Sequence, residues 1–471
     1  MDDLESARSL LELAANRVAI IGRPTKRASQ LNVLIATTRT TAHMQVSEYT
    51  TEGLRIARAM WTTFWDAERQ HFRTPKKSSG TVGATNLTLD VASHWNGYVI
   101  WPFIIGVEAL LEAEAANPGS FTAETSASLE AVEKFYSSEY GAYTAWLAFE
   151  GNRDIYYDDN AQVAIALLRA YNIPSVSNPV YLTRAKRILD FLFTGWDSAN
   201  GGGMKWHVEK TVRNAISTSL TAVAVLQFVK TDRQIADAAG GGAAAGVADK
   251  TEAELIAFAR QCVQWVLDEL QLDSGLIMDG VGGGPTYTSY NTGVPLHAIC
   301  LLQELDPTYD LAAKAGKLAA AAVDKEKSLF ELTVANVEYR FWWDNTYFLQ
   351  LLVEGLISYA KTYAATQPAI AQRVVGEMDR QLRYVRAYIV DSSDGLYWRS
   401  LRLYAISQEK LAIYRQLTGD NRDPEYDQEE RVMDDANLAL PIAERELCKT
   451  LLGNGGVSRT FLLAGQYSAA P

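Results

Sequence analysis

The sequence predicts an all-α protein, an (α/α)6 barrel in which six inner helices are ringed by six outer ones. Three observations lead there. Helical apolar spacing dominates, and valine-rich alternating strands are scarce. The helices are of two kinds that alternate along the chain, one striped with charges and one nearly charge-free at its start. A helix apolar all round is buried whereas a striped one lies on a surface, so the alternation describes one ring inside another. Finally, the starts of the apolar kind lie about 50–75 residues apart and irregularly, where a helical solenoid would keep a fixed period.

The charged, amphipathic helices are expected at 47–66, 124–146, 178–195, 250–271, 308–326 and 369–390. The apolar ones begin with "HWNGYVIWPFIIGV" (94–107), "DDNAQVAIALL" (158–168), "NAISTSLTAVAVLQFV" (214–229), "YNTGVPLHAICLLQ" (290–303) and "FWWDNTYFLQLLV" (341–353). The sixth is assigned to the more polar "LYAISQEKLAIYRQL" (403–417). The barrel then spans 46–420, with an N-terminal helical extension (1–45) packed on it and a C-terminal extension (421–471).

Connections from outer to inner helices are long and dense in Gly, aromatic and polar residues, as in "GWDSANGGGMKWHVEKTVR" (195–213) and "DSGLIMDGVGGGPTYTSYN" (273–291). Most connections the other way are short, apart from the low-complexity "DAAGGGAAAGVAD" (237–249), expected as a mobile loop. The decorated loops and the inner-helix N-termini therefore share one face, which is the candidate site.

The composition narrows the function. A chain of 471 residues, 48% apolar, can bury a large core. A net charge of −12 with scattered basic residues leaves no nucleic-acid footprint, and no apolar run is long enough to span a membrane. Cys262, Cys300 and Cys448 are too few and too spread for a disulfide framework, and the histidines form no ligand set, so neither metal nor cofactor is expected. His94 and His207 each adjoin a tryptophan near the mouth, whereas His297 reads as a core residue. "GGGMKW" and "VGGGP" lack the Gly-Lys-Ser/Thr of a phosphate cradle and read as turns at the rim. The opening "MDDLESARSLLELAANRVAIIG" has neither the basic start nor the apolar centre of a signal peptide. A cytoplasmic location is expected if Met1 is the natural start, and a secreted one if a leader precedes it. A monomer or weak homo-oligomer is expected.

Chemistry enters at "RDIYYDDNAQVAIALLRAYNIP" (153–174), where Asp158 and Asp159 stand side by side at the start of a buried helix. A single Asp or Asn suffices to cap a helix and complement its dipole. Two acids plus Asn160 are costly there unless they have work to do. Retaining glycoside hydrolysis needs two carboxyl groups about 5–5.5 Å apart with different pKa values. Adjacent residues of one helix turn can reach that gap. Aromatics that stack on apolar sugar faces cluster at the same helix starts and loops: Trp95, Trp101, Tyr156, Tyr157, Trp206, Tyr287, Tyr290, Trp342 and Trp343. Asn96, Asn214, Asn291 and Asp344 stand ready to bond the hydroxyls.

These segments resemble glycoside hydrolase family 76, the endo-α-1,6-mannanases. "YYDDNAQVAIALLRAY" resembles the family's Asp-Asp-Asn helix, and "SHWNGYVIWPFIIGVEAL" looks like its tryptophan-led second helix. "GGGMKWHVEKTVRNAISTSL", "SGLIMDGV" and "TYTSYNTGVPLHAI" are similar to its later segments in the same order. The likeness covers roughly 50–420. It implies an (α/α)6 barrel, a metal-free retaining mechanism, Asp158 as nucleophile and Asp159 as acid/base. It also implies a site that binds mannan or a mannose-containing oligosaccharide through Trp95, Asn96, Tyr157, Asn160, Trp206, Asn214, Asp279, Tyr290, Asn291, Trp343 and Asp344. Two features depart from the family: Gln162 stands where an aromatic is usual, and no leader is seen. A transglycosylase using the same acids, another (α/α)6 sugar enzyme and a non-catalytic mannoside binder are the alternatives.

Overall fold

A computed structural model describes residues 48–82, 99–238, 240, 247, 249–281 and 287–469. The expected N-terminal extension lies outside them, as do Trp95 and Asn96 and much of the 237–249 loop. The chain forms an outer helix α1 (48–64) followed by an inner helix α2 (Ile100–Ala116), and this alternation continues. Outer α3 (Thr122–Ala131), α5 (Pro179–Phe193), α7 (Glu252–Glu269), α9 (Ala312–Ala322) and α11 (Pro368–Tyr384) enclose inner α4 (Tyr157–Asn172), α6 (Ala215–Ala238), α8 (Ser289–Leu305) and α10 (Thr346–Tyr363). A shorter helix α12 (Gln408–Thr418) precedes the last, α13 (Leu451–Ala469).

The inner helices pack in the closed order α2, α4, α6, α8, α10, α13 and back to α2. The barrel is thus complete, but its sixth inner member is α13, not the 403–417 segment. That segment breaks at Ser407, whose hydroxyl accepts the amide of Lys410 and starts α12 afresh. The expected C-terminal extension therefore supplies part of the ring, and a boundary at 420 would cut through it. The outer helix expected at 124–146 is also shorter: after Ala131 the chain makes a tight turn and a two-stranded hairpin, Tyr136–Ser137 with Ala142–Tyr143.

Local sequence explains the starts and stops. Asn178 caps α5 just ahead of Pro179, whose fixed φ suits a first helical position. Thr251 and Glu254 form a reciprocal capping box at α7. Where α8 and α10 meet, Gly293 faces Gly355 so closely that a Cβ on Gly355 would fall 2.1 Å from the Gly293 carbonyl oxygen.

The barrel axis is filled. The cavity left between Gln162, Ile165, Leu220, Val294 and Leu351 measures only about 10 Å³, room for a single water. Charges also cross the interior. Arg459 of α13 donates to Gln350 Oε1 at 2.6 Å and to Glu354 Oε2 at 2.7 Å, and its Nε lies 3.8 Å from Glu108 and from Glu112. Arg169 of α4 pairs with Glu112 at 2.7 Å and with Glu354. Burial pushes the Glu108 carboxyl above its ordinary value despite both guanidiniums. Burial also opposes ionisation of Glu354, but Arg169 and Arg459 outweigh it and hold that carboxyl well below its usual range. The network joins α2, α4, α10 and α13.

Candidate active site

Asp158 and Asp159 occupy the first turn of α4, after Tyr156 in extended conformation. Their position at the positive end of a helix dipole favours negative charge. The loop 195–213 is laid over this turn by backbone bonds: the Tyr157 amide donates to the Trp206 carbonyl at 3.0 Å and the Val208 amide to the Ile155 carbonyl at 3.1 Å. Three consecutive glycines, Gly201 to Gly203, all with φ near +90°, make the loop's sharp return. A side chain on Gly203 would in any case strike Trp265, 2.4 Å from the Cβ position.

This strap carries Trp206 to the acids. Its indole Nε1 donates to Asp158 Oδ2 at 3.0 Å, while the Asp159 amide donates to Asp158 Oδ1 at 2.9 Å. Asp159 has no comparable donor among the described residues. Both carboxyl groups keep partial solvent contact, yet enough protein surrounds them for desolvation to dominate. Desolvation pushes Asp158 up to about 7, against the two donors that favour its anion. Asp159 is pushed well above its ordinary range by desolvation and then by the charges of Asp158 and Asp154. Asp158 is therefore the better-stabilised anion, and Asp159 the better proton holder.

Aromatic rings wall the site. Tyr156 lies 5.0 Å from Trp206, with its other side against His207 at 4.8 Å. His207 is buried, accepts the Glu209 amide at Nδ1 and sits 3.4 Å from Asp154, so it backs Tyr156. Across the mouth Trp101 stacks on Phe348, which in turn meets Tyr290 at 4.5 Å. Tyr290 and Asn291 donate to Asp279 Oδ1 at 3.2 and 2.9 Å, and the Asp279 charge acts on Asp158. The structure thus brings together Asp158, Asp159, Trp206, Asp279 and Tyr290.

Several residues expected to bind sugar are supports instead. Asn160 is 0% exposed; it exchanges hydrogen bonds with the Tyr143 backbone and donates to the Tyr156 carbonyl, locking the 136–143 hairpin to α4. Tyr157 turns away to stack on Phe191 at 4.8 Å, its hydroxyl 3.2 Å from Thr194. Asn214 caps α6 by accepting the Ser217 amide. Asn291 is 0% exposed and acts through Asp279. Asp344 is buried and takes both the amide and hydroxyl of Ser289, pinning the start of α8 to that of α10. Trp342 is core, its indole bonded to the Ala322 carbonyl, while Trp343 keeps partial exposure beside it. Phe348 was not singled out from the sequence; its signal is an aromatic in the first turn of an inner helix, as with Trp101. Gln162 lines the axial cavity beneath the dyad. Among the described residues no group of three His, Cys, Asp or Glu could hold a metal, and no helix is long and apolar enough to cross a membrane.

Two results follow from the electrostatics. Trp206→Phe removes the donor that favours ionised Asp158, so the acidic limb of the pH–rate profile should move to higher pH and kcat should fall about tenfold. An unmoved limb would show that the indole does not set this carboxyl's charge. The second concerns stability. Folded Asp158 holds its proton to about 7, against an ordinary 3.8. This contribution is therefore whole below about pH 4 and lost as pH rises through 7. Asp158→Asn should match the wild-type melting temperature at pH 4 and exceed it at pH 8. The gain should be about 1–2 kcal/mol once solvent contact is allowed for. A gap of the same size at both pH values would rule out desolvation as its cause.

The profile described as "Glycosyl hydrolase family 76" matches residues 50–405. The "Meiotically up-regulated gene 191 protein" of Schizosaccharomyces pombe is 28% identical over 451 residues, covering 90% of this chain and 93% of that one. Among solved structures, a family 76 mannosidase from Bacteroides thetaiotaomicron superimposes with a TM-score of 0.62 at 17% identity, covering 89% of this chain and 98% of the other. An inactive α-1,6-mannanase of Salegentibacter sp., two consecutive aspartates replaced by asparagine and α-1,6-mannotriose bound, gives 0.62 at 13% identity, covering 89% and 99%.

Proposed function

Because the chain belongs to glycosyl hydrolase family 76 and is a glycosidase of that family, we propose that it hydrolyses α-1,6-mannosidic linkages with retention, acting within the chain of a mannan or mannose-containing oligosaccharide. The observation that carries this reading is the unequal pair of adjacent carboxyls, one with two donors and one without.

In the first step ionised Asp158 attacks the anomeric carbon while Asp159 gives its proton to the departing glycosidic oxygen. The bond to the leaving sugar breaks as the glycosyl–Asp158 bond forms. Asp159, now ionised, takes a proton from water, whose oxygen displaces Asp158 and restores the starting configuration. The Trp206 indole donates to one Asp158 oxygen and the Asp159 amide to the other. Asp279, fixed by Tyr290 and Asn291, sits within electrostatic reach of the reacting centre and raises the basicity of Asp158. The positive charge that grows on the sugar ring favours such neighbouring carboxylates.

The deciding measurement is sugar release from α-1,6-mannan, with the first-formed anomer read by NMR. An α-anomer and a ladder of short oligosaccharides are expected. A β-anomer would overturn retention, monosaccharide alone would overturn internal cleavage, and inertness towards both mannan and α-1,6-mannotetraose would overturn the substrate assignment.

A further inference from the structure

On the flank of the barrel, between α11 and α12, lies a cleft of about 280 Å³ that the dyad chemistry does not use. Its wall is a run of rings: Tyr388 lies 5.5 Å from Tyr384, Tyr384 stacks on Phe341 at 5.0 Å and 6°, and Tyr414 meets Phe341 edge-on. The Tyr384 and Tyr414 hydroxyls are committed, to the Leu401 carbonyl at 2.7 Å and to Asp420 at 2.8 Å. The hydroxyls of Tyr388 and Tyr339 have no bonding partner among the described residues, and Tyr339 is 50% exposed.

Two features show the cleft to be held in shape. Arg380 grips Glu377 at 3.0 Å and donates to the Glu338 and Arg340 carbonyls, fixing the turn that carries Tyr339. Beyond Tyr384 the helix widens into one π-helical turn, Val385–Ile389, which carries Ala387 and Tyr388 to the cleft. Such turns are uncommon and gather at functional sites. Lys410 secures the turn by donating to the carbonyls of Tyr388 and Val390 at 2.6 and 2.9 Å.

We infer that this cleft is a second carbohydrate site, one that takes a stretch of a mannoside chain outside the catalytic groove. The identity of the sugar rests on the reading of the active site given above. Phe341 and Tyr414 are buried behind the surface, so the partly exposed Tyr388 and the exposed Tyr339 are the rings that offer stacking to the apolar faces of sugars, and their free phenols with the exposed Arg383 supply hydrogen bonds to hydroxyls. The volume suits a short run of sugar rather than a protein helix, and the charged rim is unlike an apolar docking face. Phe341 in the floor lies five residues before Thr346, the first residue of α10, on the segment that leads into that inner helix. A site of this kind keeps the enzyme on a polymer between cuts and leaves the cleavage step itself untouched.

The test uses the full chain. Retention in native gels containing α-1,6-mannan is compared for an Asp158→Asn background with and without Tyr339→Ala and Tyr388→Ala, so that nothing is cleaved. Cleavage of α-1,6-mannotetraose is measured separately with Asp158 intact. The tyrosine variants should bind mannan about three- to tenfold more weakly while kcat/KM on the tetrasaccharide stays unchanged, and Tyr339→Trp should restore retention. Retention indifferent to both tyrosines, or absent from the Asp158→Asn background, overturns the second site. If the tetrasaccharide is not cleaved but tyrosine-dependent retention persists, the activity assignment fails and the second site stands.

Discussion

Asp158→Asn is expected to abolish turnover on every mannoside, whereas Asp159→Asn should spare substrates whose leaving group departs without help. The difference follows from what each carboxyl supplies. Without Asp158 no glycosyl–enzyme bond forms, whatever the leaving group. Without Asp159 the loss is that of a general acid and base, roughly 10²- to 10⁴-fold on mannan. An activated aryl α-mannoside should recover most of the first step in Asp159→Asn, and glycosyl-enzyme should then accumulate because no base activates the water. A small anion such as azide, which needs no base, should speed its release and yield an α-mannosyl azide. If Asp158→Asn were the variant rescued in this way with the same anomer, the two roles would have to be exchanged. If both variants kept mannanase activity near wild type, the dyad would not be the catalytic pair.

The second large effect lies far from the chemistry. Arg459→Met should cost about 3–5 kcal/mol, because removing one partner of a buried ion pair leaves uncompensated charge behind. Arg459 is 0% exposed and its guanidinium serves Gln350 and Glu354 directly, with Glu108 and Glu112 close by. Glu354 has its pKa depressed in the folded protein, so its contribution is present above the unfolded carboxylate pKa and is lost as pH falls through the folded value. In the variant Glu354 loses part of that depression. The stability gap between wild type and Arg459→Met, read by urea denaturation, should therefore hold from pH 7 to about pH 5 and narrow only as the pH is taken below about 4, towards the depressed folded value of Glu354. A gap that does not depend on pH would assign the loss to packing alone.

Much of this was legible in the residues. The alternation of charged and uncharged helices predicts the two rings, because burial on all sides excludes charge whatever the tertiary detail. The Asp-Asp-Asn turn and the glycine-rich strap stand out for a similar reason: both are expensive locally unless something is built from them. What the sequence hid has physical causes too. The closing helix, "LLGNGGVSRTFLLAGQYSA", contains Gly453, Gly455, Gly456 and Gly465, which argue against a helix by propensity. They are there because neighbours come too close for a side chain, a Cβ on Gly456 falling 2.5 Å from the Tyr347 Cα and one on Gly465 falling 2.3 Å from the Thr50 hydroxyl. Nor do the residues beside Arg459 in the chain show that Glu108, Glu112 and Glu354 of other helices surround it.

The division between lining and supporting residues was hidden for another reason. Asn160, Asn291 and Asp344 sit on the right turns, but a position on a turn does not tell whether an amide or carboxylate faces a sugar or a neighbouring backbone. Only the partners decide: Tyr143 for Asn160, Asp279 for Asn291, and Ser289 for Asp344.

That the ring is closed by α13 governs how the molecule comes into being. A chain emerging from the ribosome can lay down five inner staves in sequence, but α2 and α10 have no common neighbour until residue 469 is out. Through all of that time the apolar flanks of both helices stand open, and Glu108, Glu112 and Glu354 wait for the Arg459 guanidinium. The nascent protein is an unhooped cask: its staves are cut and nearly in place, its seam is sticky, and the last stave is also the hoop. Closure of the ring must for that reason wait for the last helix, and a chain halted short of it offers chaperones an open flank on two helices at once.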